Sequence, residues 1–337
     1  YRKDLRMSVK WGVLGTAGIA KWATIPGMQK AEDCELYAVA GRSEEKAKQY
    51  KEEFGFEKYH VGYEALLKDP MVQAVYIPLP NHLHCEWTVK ALKAGKHVLC
   101  EKPLAMTAKE AEEMFAAARE NNVILMEAYA YLHNEFIAEV MKDLKAGVIG
   151  KVDYVDTAFL TQNYSENVRL FKEQGGGGVY DVGCYCTSLI LKILETVSEK
   201  GINTKPVSIM ADAEFSENGV DELAQVMIRF ENGMRATFNA GMNLGTDTSH
   251  RYDRFFIHGS RGNICSDVEY NQSGEIEYTV MSDWKKTVKK VKVSNNYTLE
   301  VQNLSRAIMG LEKPDISYDF SMANAKLLDA VLEKINY

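Results

Sequence analysis

A lysine follows the apolar run His97-Val98-Leu99-Cys100, inside the triplet Glu101-Lys102-Pro103. The run reads as a buried strand, so Lys102 stands at its carboxyl end. Far upstream lies a glycine-rich turn, Gly12-Val13-Leu14-Gly15-Thr16-Ala17-Gly18-Ile19-Ala20. In an open α/β sheet, ligands bind beyond the carboxyl ends of the strands. A glycine turn and a lysine on that one edge can therefore meet at one cofactor. The turn is a degenerate G-x-G-x-x-G, with Gly15, Ala17 and Ala20 at the glycine positions. Small residues there let the backbone approach a pyrophosphate and let a helix N-terminus face it. A plain tight turn is the alternative; its place after the first strand of a βαβ run favours the nucleotide. The residues expected to hold it are Gly15, Thr16, Ala17, Gly18 and Ile19.

The second strand bears on which nucleotide. It ends Ala38-Val39-Ala40-Gly41-Arg42-Ser43 and carries no acid to bond a ribose 2′-hydroxyl. Arg42 can pair with a 2′-phosphate, and Ser43 can hydrogen-bond it, with Gly41 beside them. The plainer alternative is a solvated arginine before a capped helix. NADP(H) is favoured over NAD(H).

A second constellation begins at the four glycines Gly175 to Gly178, followed by Val179-Tyr180-Asp181-Val182-Gly183-Cys184-Tyr185. Such a run is often a flexible loop. Here it opens an apolar helical stretch, where glycine permits close approach. Asp181 and Tyr185 are four apart, on one helical face, with Ser188 on the same side. An acid and a phenol so placed can contact one substrate; the alternative is a buried tyrosine satisfied by Asp181. Asn81-His82-Leu83-His84 follows a proline-rich strand end. Its two histidines are not part of an obvious ligand set, so no metal is expected. Pro80, Asn81 and His84 are instead expected near the nicotinamide or its ribose.

The elements that must position these residues fall into two groups. Up to about residue 128, strand and helix alternate: Val9 to Leu14, Leu36 to Ala40, Ala74 to Ile77, Val98 to Cys100 and Val123 to Met126 are strands. Helices lie after Ser43, over His82 to Ala94, and after the capping box Thr107-Ala108-Lys109-Glu110. This predicts a parallel sheet covered by helices, a Rossmann domain over 1–128. Residues 129–337 read as an α+β domain for substrate binding and oligomerisation. A helix over Glu135 to Ala146 leads to strands at Val152 to Thr161, Val207 to Phe215, Leu223 to Phe230, Met234 to Ala240 and Arg254 to His258. Asn232-Gly233 signals a hairpin and Gly262 another turn. A helix spans Gly178 to Leu194. Two more, Leu299 to Gly310 and Met322 to Ile335, close the chain and are expected to pack back on the first domain.

Composition narrows the partners. The 337 residues are 46% hydrophobic and 26% charged, with a net charge of −7. The acidic balance argues against nucleic acid or an anionic membrane. The basic run Lys285 to Val293 reads as an edge strand defended by lysines. The six cysteines contain no CxxC pair and are expected to be free thiols. The start has no apolar signal region, and no stretch of 18 apolar residues occurs. A cytoplasmic location is expected.

These motifs together resemble the glucose-fructose oxidoreductase / inositol dehydrogenase / MocA family. The resemblance rests on the glycine turn, Pro80-Asn81-x-x-His84, Glu101-Lys102-Pro103, Met126-Glu127-Ala128, Asn167-Val168-Arg169, and Asp181-Val182-Gly183-Cys184-Tyr185. It implies a Rossmann domain followed by a large, mostly antiparallel sheet whose open face commonly forms dimer contacts. A homo-oligomer, dimer or tetramer, is the expected assembly. It also implies that Lys102 is catalytic and that Glu101 belongs to the cofactor site. Tyr185 stands where inositol-dehydrogenase-like members carry histidine. That departure is similar to the branch with dimeric dihydrodiol dehydrogenase and NADP-dependent xylose dehydrogenase, in which lysine and tyrosine work together.

The implied reaction is hydride transfer between nicotinamide and a hydroxyl or carbonyl carbon of a sugar, polyol or cyclic diol. Tyr185 would handle the hydroxyl proton. A free phenol titrates near about 10, and the Lys102 ammonium would favour its ionised form. Asp181 would orient the hydroxyl or Lys102, while Arg169 and His133 are further expected substrate contacts. The chain reads Tyr131-Leu132-His133-Asn134 where the family often carries an arginine, so no particular sugar is transferred. The rivals are an NAD-assisted glycosidase and a non-catalytic NADP-sensing protein.

Overall fold

The computed structural model describes residues 8–162, 167–244 and 251–337. Its strands, in chain order, begin with β1 (Val9–Leu14), β2 (Cys34–Gly41), β3 (Lys58–Val61), β4 (Ala74–Ile77), β5 (His97–Glu101) and β6 (Leu125–Ala128). Between them run the helices α1 (Ile25–Lys30), α2 (Glu44–Phe54), α3 (Tyr63–Leu67), α4 (His84–Lys93) and α5 (Ala108–Glu120). The remainder comprises α6 (Glu135–Lys145), β7 (Val152–Thr161), α7 (Cys184–Val197), β8 (Pro206–Phe215), β9 (Asp221–Phe230), β10 (Arg235–Gly241), β11 (Arg251–Gly259), β12 (Gly262–Ser266), β13 (Gly274–Ser282), β14 (Lys285–Val293), α8 (Asn296–Ile308) and α9 (Tyr318–Lys334). Two compact units result. One holds Tyr1–Ala105, Lys109–His133 and Asn295–Tyr318; the other holds Met106–Ala108, Asn134–Ser294 and Asp319–Tyr337.

In the first unit, β1 to β6 form a parallel sheet in the order β3-β2-β1-β4-β5-β6. The order reverses between β1 and β4, the place where such sheets open a ligand crevice. β4 is buried at every position, as a strand covered on both faces requires. Local chemistry sets α2. The Ser43 hydroxyl accepts from Lys46 N–H at 3.4 Å, Glu44 and Glu45 occupy the first turn, and Gly55 ends the helix at φ +78°. α8 joins this unit from the far end of the chain. The Thr298 hydroxyl donates to Gly27 O at 3.1 Å, and a Cβ on Gly27 would stand 2.7 Å from Tyr297 Cβ. Buried Trp11 donates its indole N–H to Ser305 Oγ at 3.0 Å.

In the second unit, eight strands run β14-β13-β12-β11-β7-β10-β9-β8. The β7–β10 pair is parallel and the other neighbours are antiparallel. The Asn232-Gly233 turn joins β9 to β10, with Gly233 at φ +88°. β14 is an edge strand, and its five lysines are where such an edge needs them. The sequence assignment omitted β3, β12 and β13, and Gly262 opens β12. β3 is short and half-exposed, which weakens the period-2 signal. The last helices start earlier than the periodicity suggested. For α8 the cause is the Asn295 side chain, which accepts from Thr298 N–H at 2.9 Å and caps it. None of the six cysteines is in a disulfide. Among the described residues, no helix is long and apolar enough to cross a membrane.

Candidate active site

The first unit gathers the residues expected at a cofactor. β1 ends at Leu14, and Gly15 turns the chain at φ +124° while donating to Ala40 O at 2.9 Å. A Cβ there would stand 3.2 Å from Leu79 Cδ2 and be strained, so the position needs glycine. The Tyr50 hydroxyl braces the turn from Thr16 O, at 3.1 Å. Helix begins at Gly18 and passes through a π turn, Ala20–Thr24, before α1. Free N–H groups at that helix start, beside a bare backbone turn, suit a pyrophosphate. Gly41 closes β2, and Arg42 and Ser43, both exposed, follow it. Ile19 and Trp22 are also exposed, the latter at 79%. These residues fit a dinucleotide.

Lys102, half-buried, follows the last residue of β5, and the Lys102–Pro103 peptide is cis. Two buried carboxylates fix this strand end. Glu101 accepts from the Tyr76 hydroxyl at 2.6 Å, and Tyr76 in turn accepts from Thr24 Oγ1 at 2.9 Å. Glu127 accepts from Leu104 N–H at 2.9 Å and so holds the loop beyond Lys102. Burial, and then the Glu101 charge, push the Tyr76 phenol well above its usual range. Glu300 on α8 is wholly buried, and among the described residues neither carboxyl oxygen has a hydrogen-bond partner. Burial and the neighbouring Glu101 raise it well above its ordinary value, which favours the neutral acid.

Two sequence expectations in this unit acquire other surroundings. His84 is fully buried, with Nδ1 2.8 Å from Pro103 O and Nε2 2.8 Å from Leu79 O. The ring thus ties the Leu79 turn to the Lys102 loop, and contact with a nicotinamide ribose would require one of these bonds to be exchanged. Burial lowers its pKa, and the two carbonyls oppose that shift. Pro80 and Asn81, both half-buried, remain at the turn, where Asn81 opens a short 3-10 turn. His133 has a side chain only 1% exposed, with Nδ1 3.0 Å from Asp315 Oδ2 and Nε2 buried without a hydrogen-bond partner among the described residues.

The second unit builds the other constellation around its glycine run. Gly175 and Gly177 take φ of +74° and +106°. A Cβ on Gly176 would collide with Arg169 O, and one on Gly177 with Asp221 Oδ1. The run is therefore a close-packed junction rather than a flexible loop. Asp221, at 0% exposure, accepts from Val179 N–H at 2.7 Å and anchors the helix start. Burial raises its carboxyl to about 7, against the pull of backbone donors at Val179, Asp221 itself and Gly178.

Asp181 lies in a π turn, Val179–Gly183, that hands over to α7 at Cys184. The α-helical spacing assumed from sequence therefore does not hold through this stretch. The Arg169 Nε is 2.8 Å from Asp181 Oδ1. The Tyr185 hydroxyl receives the Asn271 amide at 3.2 Å, and its ring packs among Phe159 and Tyr270, with centroids at 5.1 and 5.5 Å. Arg251, paired with Asp253 and 4.4 Å over Phe159, is electrostatically coupled to Tyr185. Ser188 is buried and donates to Tyr185 O at 2.9 Å, so its hydroxyl serves the helix. Asp221, Asn271 and Arg251 carry no motif in the sequence, and only the sheet brings them to this helix.

A groove of about 620 Å³ lies elsewhere in the second unit, lined by Lys145, Lys151, Ser198, Lys200 and Glu231 among others. Lys200 is already neutralised by Glu231 at 3.0 Å. The groove contains none of the site residues expected from the sequence. Among the described residues, no three His, Cys, Asp or Glu side chains are grouped to hold a metal.

Comparison with known proteins gives matches over most of the chain. Residues 9–129 match the model of an oxidoreductase family with an NAD-binding Rossmann fold, and residues 137–265 match the GFO/IDH/MocA C-terminal domain. D-xylose 1-dehydrogenase (NADP(+)) 2 of Haloferax volcanii is 30% identical over 327 residues, 96% of each chain. Trans-1,2-dihydrobenzene-1,2-diol dehydrogenase of Xenopus laevis is 33% identical over 69% of each chain. A solved 3-ketoreductase of Actinomadura kijaniata, in complex with NADP and TDP-benzene, superposes with a TM-score of 0.88 at 27% identity, covering 97% of this chain and 98% of that one. Solved variants of that reductase include a lysine-to-alanine and a tyrosine-to-phenylalanine replacement.

Proposed function

This chain belongs to the glucose-fructose oxidoreductase / inositol dehydrogenase / MocA family, and on that premise we propose that it is an NADP-dependent oxidoreductase acting on a sugar, polyol or cyclic diol. The observation that carries the reading is Lys102 at the carboxyl end of β5, in the sheet whose β1–β4 reversal bears the glycine turn. Arg42 after β2, without an acid beside it, supports NADP(H). The substrate class is supported by the relatives named for xylose and dihydrobenzenediol.

The nicotinamide, when bound, supplies or accepts the hydride. The chain's own residues manage the proton and the alignment. Lys102, as an ammonium, polarises the substrate oxygen, and the family resemblance implies that it works together with Tyr185. Tyr185 takes the proton from the substrate hydroxyl during oxidation and returns it during reduction. Asp181 orients the hydroxyl, with Arg169 as its partner. Glu101 fixes the strand end that presents Lys102. The expected homo-oligomer is supported by the exposed apolar side chains Val207, Met210 and Met227 on β8 and β9.

Mixing the protein with NADP or NAD and a panel of pentoses, hexoses and cyclic diols tests this directly. Growth of the nicotinamide absorbance band is expected, with NADP the better cofactor. Product without any absorbance change would refute a simple dehydrogenase. Lys102→Ala is expected to abolish turnover while retaining NADP binding. Unchanged turnover in that variant would sink the mechanism.

A further inference from the structure

Tyr63 opens α3 directly after Gly62, whose N–H donates to Gly41 O at 2.9 Å. That bond draws the start of α3 to the end of β2, beside Arg42. A Cβ built on Gly15 would stand 3.8 Å from the Tyr63 hydroxyl, so this phenol also borders the glycine turn. Its ring is set edge-on against Trp87, with centroids 4.9 Å apart and planes at 88°. The phenol is thus held between the two features assigned to the cofactor. We propose that Tyr63 fixes the Arg42 guanidinium for the adenosine 2′-phosphate, so that the pair, rather than Arg42 alone, discriminates NADP(H) from NAD(H).

The inference rests on the NADP reading above and adds a residue that no motif marks. Arg42 has only donors, so in such a pairing the Tyr63 oxygen would accept from it and the phenolic O–H would be left to donate to a phosphate oxygen. Burial raises the Tyr63 phenol, while the nearby Arg42 charge acts in the opposite sense. The phenol is therefore neutral and keeps its proton at physiological pH. An otherwise exposed arginine loses rotamer freedom on binding a phosphate; holding it beforehand reduces that cost.

Calorimetric titration with 2′,5′-ADP and 5′-ADP separates the contributions without turnover. Tyr63→Phe keeps the ring packing on Trp87 and removes only the hydroxyl. It is expected to weaken 2′,5′-ADP about tenfold, the size of one hydrogen bond to a charged group, and to leave 5′-ADP within about twofold. With Arg42→Ala as the second arm, the double variant should lose less than the product of the two single losses. Equal weakening of both ligands by Tyr63→Phe, or of neither, overturns the pairing. An Arg42→Ala variant that binds 2′,5′-ADP as tightly as the parent overturns the NADP reading itself.

Discussion

Replacing Asp221 by asparagine should make the protein's stability less dependent on pH. Asp221 is buried in the second unit, with one oxygen on Val179 N–H and the other without a partner among the described residues. Its carboxyl is raised from 3.8 to about 7, chiefly by burial. Below 3.8 both folded and unfolded chains carry the proton, and the group contributes nothing to pH dependence. Between 3.8 and about 7 the unfolded chain has released a proton that the folded chain keeps, so folding loses about 1.4 kcal/mol per pH unit. Above about 7 the full penalty is present and stays constant.

From pH 5 to pH 8, the penalty therefore grows by about 3 kcal/mol. Asp221→Asn keeps the volume and an acceptor for Val179 N–H, but it cannot ionise. The stability of the variant minus that of the parent should rise by about 3 kcal/mol across that window. At about 2.1 cal/mol/K per residue over 337 residues, this is roughly 4 °C of melting temperature. Thermal melts of both proteins at pH 5 and pH 8 measure the difference, in which other titrating groups cancel. Parallel pH profiles, or a variant that loses ground at pH 8, would refute the assignment of Asp221 as the raised acid.

Two further substitutions test how the sites are supported. Gly177→Ala should cost more than Gly274→Ala, although φ is +106° and +100° at the two positions. Each pays about 1–3 kcal/mol of backbone strain, but only the first drives a methyl into the Asp221 carboxylate; the space around Gly274 is open. Equal losses in urea denaturation would remove the collision from the account. Glu300→Gln should leave stability at pH 7 unchanged or raised, because burial and the Glu101 charge disfavour the ionised carboxylate in the fold. Its raised carboxyl makes the parent lose stability as pH climbs above the unfolded value of 4.5, a dependence the variant should lack. A parent and variant with the same pH slope would mean that Glu300 is ionised in the fold.

The sequence by itself determined most of the first unit and marked the candidate residues for chemistry. Apolar runs ending in Gly15, Gly41 and Lys102 mark strand ends, because strand length and turn chemistry are local properties. The Ser43 cap, the Asn232-Gly233 hairpin and the lysine-laden edge of β14 were legible for the same reason. The resemblance carried by Glu101-Lys102-Pro103 and Asp181 to Tyr185 gave the family.

Tertiary structure decided what those residues meet. Asp221 reaches Val179 from 42 positions away, and Glu300 lies electrostatically beside Glu101 from across the chain. Tyr63 stands beside Gly15 and Arg42 because β3 and α3 return to the crevice after β2. The π turns at Ala20–Thr24 and Val179–Gly183 break the simple 3.6-residue period used to place side chains on one face. Partners of this kind are fixed by packing between elements distant in sequence. A carboxyl raised by burial, a glycine demanded by a neighbour's oxygen and a phenol set against an arginine thus have no local signature.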